Sequence, residues 1–75
     1  MEKTLVITFK NTTSAMKMEQ IVNNNNIQAE MIPIPEELEA GCGLSWKAYP
    51  KDKDKLIEIM DKENIDYDKI VEFKI

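Results

Sequence analysis

Apolar positions along this chain recur at two spacings, and the switch between them marks out the elements. Lys3 to Phe9 holds Leu5, Val6, Ile7 and Phe9, a β-branched and aromatic run apolar enough for a central strand. Asn11-Thr12-Thr13-Ser14 stops that strand and offers helix caps, with Thr12 or Thr13 expected as the N-cap. Ala15, Met18, Ile21 and Val22 then fall at i, i+3 and i+4 spacing, which gives one buried stripe on a helix. The helix runs into Asn23-Asn24-Asn25-Asn26, and asparagine tolerates the left-handed backbone that a helix C-terminus needs.

Ile27 to Ile34 reads as a second strand. Pro33 cannot donate to a ladder, so the strand belongs at a sheet edge. Pro35 to Ala40 has the make-up of a short helical turn that Gly41 ends. Leu44 to Tyr49 alternates Leu44, Trp46 and Ala48 with Ser45, Lys47 and Tyr49, a third strand with Trp46 on its core side. Asp52 is the expected N-cap of a second helix with Leu56, Ile59 and Met60 as its stripe and Ile57 beside them, ending near Asn64. Asp66 to Ile75 holds the last strand, where Val71, Phe73 and Ile75 alternate with Glu72 and Lys74. Met16, Met18, Met31 and Met60 stand at core-compatible positions, where methionine serves as adaptable filler.

Both halves therefore run strand, polar cap, helix, Asn-Ile, strand, with Asn26-Ile27 matched by Asn64-Ile65. That is the βαββαβ pattern of the ferredoxin-like α+β fold. It predicts one domain over residues 1–75, an antiparallel four-stranded sheet in the order 4-1-3-2, and both helices on one face. Strand two falls at an edge in that order, as Pro33 requires.

Composition narrows the function classes. The chain has 75 residues, so its core is thin but adequate. A net charge of −4 disfavours a nucleic-acid partner, which usually meets a basic face. Met1-Glu2-Lys3 is followed only by Leu5-Val6-Ile7 before polar residues return, so neither a secretory segment nor a membrane span is expected. With a single cysteine there is no internal disulfide, and the cytoplasm is the expected compartment. With no histidine, a Cys/His zinc site within one chain and a histidine-based triad are both excluded, and no cofactor is expected.

The candidate chemistry lies in Gly41-Cys42-Gly43, which holds the only cysteine and both glycines. In the ferredoxin-like order, strands one and two point the same way. The connection carrying Cys42 then shares a sheet end with the start of the first helix. Lys10, Thr12, Thr13 and Ser14 stand there, with Asn11, as groups able to stabilise an anion. A helix N-terminus favours a thiolate and holds its pKa well below that of free cysteine. Glu36, Glu37 and Glu39 act the other way. A lone cysteine in a small domain is also, commonly, a small buried hydrophobe. The residues alone leave both readings open.

The chain resembles a family of small bacterial and archaeal selenium/sulfur carrier-like proteins. The resemblance rests on the Val6-Ile7-Thr8-Phe9 strand, on Thr12 to Glu19 with Ala15 and Glu19 in place, and on Ile27. It rests further on Met31-Ile32-Pro33-Ile34-Pro35 and on Cys42-Gly43-Leu44 about eight residues after the proline-bearing strand. Asn26 stands where a helix-ending glycine is usual, and Gly41 lies outside the shared signature. The resemblance implies that Cys42, with Gly43, carries a persulfide or selenopersulfide between donor and acceptor proteins, as a carrier or accessory protein more than a stand-alone enzyme. The alternatives are a regulatory or assembly module in which Cys42 is structural, a use ferredoxin-like domains often combine with dimerisation through their sheets, and a redox-sensing thiol paired across a homodimer.

Overall fold

The computed structural model describes residues 3–34 and 44–74. It contains β1 (Lys3–Phe9), α1 (Thr12–Asn24), β2 (Ala29–Pro33), β3 (Leu44–Ala48), a 3-10 turn (Pro50–Asp52), α2 (Lys53–Lys62) and β4 (Tyr67–Lys74). The sheet is antiparallel in the order β2-β3-β1-β4, so the ferredoxin-like arrangement is present and β2, with its proline, is an edge strand. The strands β2 and β3 are shorter than the apolar runs that announced them, because Ile27 is drawn into the end of α1 and Tyr49 into the approach to Pro50.

The helix ends explain the repeated Asn-Ile pairs. Asn26 and Asn64 are the only non-glycine residues of the described chain with positive φ, at 53° and 56°. That left-handed step turns the chain so that the Ile27 N–H donates to the Val22 carbonyl and the Ile65 N–H to the Met60 carbonyl, each at 2.9 Å. The geometry is a Schellman cap, and Ile27 and Ile65 are the buried apolar residues just beyond it. Asparagine stands in for glycine because its short side chain is the best tolerated in this conformation after glycine.

At the start of α1 the cap is Asn11, and neither Thr12 nor Thr13, both of which lie inside the helix. Asn11 is extended (φ −150°, ψ 163°), and its side-chain oxygen accepts the Ser14 N–H at 2.8 Å. Asparagine outranks threonine at this position, so the residue one step earlier wins. Asp52 occupies the N-cap of α2, as expected, but its side chain makes no capping bond, because the preceding 3-10 turn leaves it out of the extended conformation (φ −94°, ψ 4°).

One side of the sheet and both helices share a single core. Leu5, Ile7 and Phe9 from β1 meet Ala15, Met18, Ile21 and Val22 from α1, Leu56 and Met60 from α2, and Trp46 and Ala48 from β3. Met18 and Met60 are core filler. Met16 and Met31 are not; both are exposed, since Met16 lies off the α1 stripe and Met31 belongs to the edge strand. The alternate residues of the strands are also buried at the sheet centre. Val6, Thr8 and Ser45 are fully buried, Thr8 pairs with Ser45, and none of the three belongs to the helix-side cluster.

β4 carries an irregularity that the sequence does not announce. Thr8 pairs with Lys69 and Phe9 with Tyr67, so Asp68 is an extra residue, a β-bulge. The Thr8 hydroxyl accepts the Lys69 N–H at 3.0 Å and satisfies the amide at the bulge. The register beyond it pairs Ile70 with Ile7 and Val71 with Val6. Ile70 thereby packs on the helix-side core, while Val71 shares the other side of the sheet with Val6.

Candidate functional site

Two backbone facts define one end of the sheet. β1 and β2 are each antiparallel to β3, so they run parallel and finish together, at Phe9 and Pro33. Pro33 pairs with Leu44 across the β2–β3 edge, so residues 35–43 leave and re-enter the described structure at adjoining points of that end. α1 begins there too, at Thr12.

A side-chain bond fixes β3 against that helix. The Trp46 indole N–H donates to the Ala15 carbonyl at 2.8 Å in buried surroundings, across a sequence separation of 31 positions. The entry of β3 is thereby held to the first turns of α1. Across the edge, the Ser45 hydroxyl donates to the Ile32 carbonyl at 3.3 Å. Leu44 itself packs half-buried on the core. Leu44, Ser45 and Trp46, the residues following Cys42-Gly43 in sequence, are thus each held by packing or a hydrogen bond.

The groups expected to stabilise an anion divide by environment. Lys10, Thr12 and Thr13 are exposed. Ser14 is buried, and its backbone N–H is taken by the Asn11 cap. The capping asparagine therefore withdraws one of the helix-end donors that an anion would otherwise meet, while leaving the positive end of the helix dipole in place. Gly41, Cys42 and Gly43 lie outside the described residues, as do Glu36, Glu37, Glu39 and the expected turn over Pro35 to Ala40.

Among the described residues there is no group of three or more His, Cys, Asp or Glu placed to hold a metal ion. No helix among them is long and apolar enough to cross a membrane. The indole–carbonyl bond and the threonine at the bulge escaped sequence reasoning. A buried tryptophan needs a partner for its N–H, which is a usable signal, but the identity of that partner depends on the tertiary contact.

A family model described as putative Se/S carrier protein-like matches residues 4–72. No curated protein and no solved structure matches the chain.

Proposed function

We propose, for a chain that belongs to the Se/S carrier protein-like family, that Cys42 is the atom-bearing residue of a sulfur or selenium carrier. The family match carries the reading, since its span of residues 4–72 includes Cys42. The fold supports it. Cys42 precedes Leu44 by two residues, and Leu44 opens β3 at the sheet end where α1 starts. Lys10, Thr12, Thr13 and the α1 dipole supply positive potential and donors at that end, and Gly41 and Gly43 supply backbone without a Cβ, open to close approach.

The chemistry is thiol–persulfide exchange. The Cys42 thiolate attacks the terminal sulfur of a donor protein's persulfide. A new S–S bond forms at Cys42, the donor's S–S bond breaks, and the donor cysteine leaves as thiolate. No net oxidation occurs, and no external oxidant is needed. An acceptor thiolate or an acceptor enzyme then removes the outer sulfur by the same exchange. With selenium as the outer atom the bonding is the same, and the bond that breaks is S–Se. Both directions need an accessible, anionic sulfur. The partners are accordingly a donor and an acceptor protein, with no nucleic acid or membrane involved, and the compartment is the reducing cytoplasm.

The pH profile of alkylation tests the reactive state. Iodoacetamide should label Cys42 in folded protein with a rate midpoint well below ~8.5, the value of an unperturbed thiol. Slow labelling with an ordinary midpoint would contradict the carrier reading and favour the module in which Cys42 is structural.

A further inference from the structure

The sheet is buried on both sides, although among the described residues only one side carries a second layer. The helices pack against Leu5, Ile7, Trp46 and Ala48. The alternate residues Val6, Thr8 and Ser45 point the other way, yet each is 0% exposed. An antiparallel sheet with helices on one side ordinarily leaves its other side to water. Thr8 and Ser45 stand opposite each other on the two central strands, with Ile32 beyond Ser45 and Lys69 beyond Thr8. Both hydroxyls are engaged with backbone inside the sheet, through the Lys69 N–H and the Ile32 carbonyl. The outer members of the row do not close it off, since Lys69 is exposed and Ile32 only half-buried. The cover comes from above.

Position selects what supplies it. The two helices are on the other side, and the 3-10 turn follows Ala48 at the far end of β3. Lys3 and Lys74 pair five positions along β1 from Thr8, about 16 Å away at the rise of a strand. Residues 1–2 and 75 attach there, also at the far end. Residues 35–43 attach beside the row itself, because Pro33 follows Ile32 and Leu44 precedes Ser45. β1 is two strand spacings from β2, about 10 Å, and the five-residue step from Pro33 to Leu38 spans up to about 16 Å. Leu38 is the single large aliphatic residue of this stretch, with Glu36, Glu37 and Glu39 around it. It gives an apolar side chain for a dry face and acids to leave in water.

We propose that the β2–β3 connection folds over the helix-free face of the sheet and seats Leu38 on Thr8, Ser45 and Val6. The face is then closed to a homodimer built sheet against sheet. With the chain anchored at Leu38 and again at Leu44, Cys42 belongs to a short bridge, residues 39–43, rather than to a free arm. The cover is independent of the carrier reading and holds whether or not Cys42 reacts.

The test is NMR of the full chain with its Leu, Val and Thr methyls labelled. Nuclear Overhauser contacts from the Leu38 methyls to the Thr8 and Val6 methyls are expected within one molecule. Contacts seen only between differently labelled copies would put a second copy on the face. Contacts to Thr8 from Cys42 in place of Leu38 would bury the thiol, and no contact to Thr8 from residues 35–43 would leave the face to another cover. Each of these three results overturns the proposal, and only the buried thiol also counts against the carrier reading. In urea unfolding, Leu38→Ala should raise the unfolding equilibrium constant at least about tenfold, as for a buried leucine. Glu37→Ala should stay within about twofold, as for a surface residue. Equal effects of the two would likewise overturn the cover.

Discussion

Replacing Trp46 with phenylalanine tests how β3 is held against α1. The indole is buried, pairs across the sheet with Ile7 and Met31, and donates a 2.8 Å bond to the Ala15 carbonyl. Phenylalanine keeps the aromatic ring in the core but removes the donor and leaves a void beside α1. The lost hydrogen bond costs about 1 kcal/mol. Full truncation of a buried tryptophan costs about 3–5 kcal/mol, so the partial loss of volume adds about 1–2 kcal/mol. The sum, about 2–3 kcal/mol, is a large share of the roughly 4–11 kcal/mol that a domain of this size commands. It should lower Tm by about 10–20 °C. Urea unfolding followed by far-UV circular dichroism is the assay, because the only tryptophan is the residue being changed. The midpoint should fall with the slope unchanged. A loss below about 0.5 kcal/mol, the range of an ordinary surface substitution, would mean that the indole does not tie β3 to α1.

Further substitutions at Thr8, Asn11, Thr12 and Asn26 probe the local rules. Thr8→Val keeps shape but leaves the Lys69 N–H at the bulge without its acceptor, and should cost about 1–3 kcal/mol in the same urea assay; an unchanged midpoint would contradict the bulge geometry. Asn11→Ala removes the α1 cap and should cost about 1 kcal/mol, whereas Thr12→Ala, inside the helix, should stay within about 0.5 kcal/mol. The reverse ranking would restore Thr12 as the cap. Asn26→Gly should hold or raise the thermal midpoint, because glycine takes positive φ freely, while Asn26→Val should lower stability by about 1–2 kcal/mol. Equal effects of the two would contradict the left-handed assignment.

The elements were legible because their signals are local. The central strand Lys3–Phe9, the Ala15–Met18–Ile21–Val22 stripe and the Asn-Ile caps are each written within a few residues, and the structure bears them out. Pro33 reported the sheet edge for the same reason. What was not legible depends on partners far away in sequence. The bulge at Asp68 exists only relative to β1, and it alone decides that Ile70 sides with the helices and Val71 with Val6. Met16 and Met31 looked like core residues by type, but one residue's rotation on a helix and one strand's place at an edge expose them. The N-cap is Asn11, one or two positions before the expected Thr12 or Thr13 and within the usual uncertainty of a helix boundary, and it occupies the Ser14 amide. Of the candidate site only the flanks can be compared: β1 and β2 run parallel and finish at the sheet end where α1 starts, as the topology required, while Gly41, Cys42 and Gly43 lie outside the described residues.

The carrier role stands or falls on whether Cys42 takes up sulfur. Folded protein is incubated with a cysteine desulfurase and free cysteine, and intact-mass spectrometry is run on wild type and on Cys42→Ser side by side. Wild type should gain the mass of one sulfur atom, lost again on treatment with a reductant, and Cys42→Ser should gain nothing. No gain on wild type, or an equal gain on both proteins, would contradict the proposal.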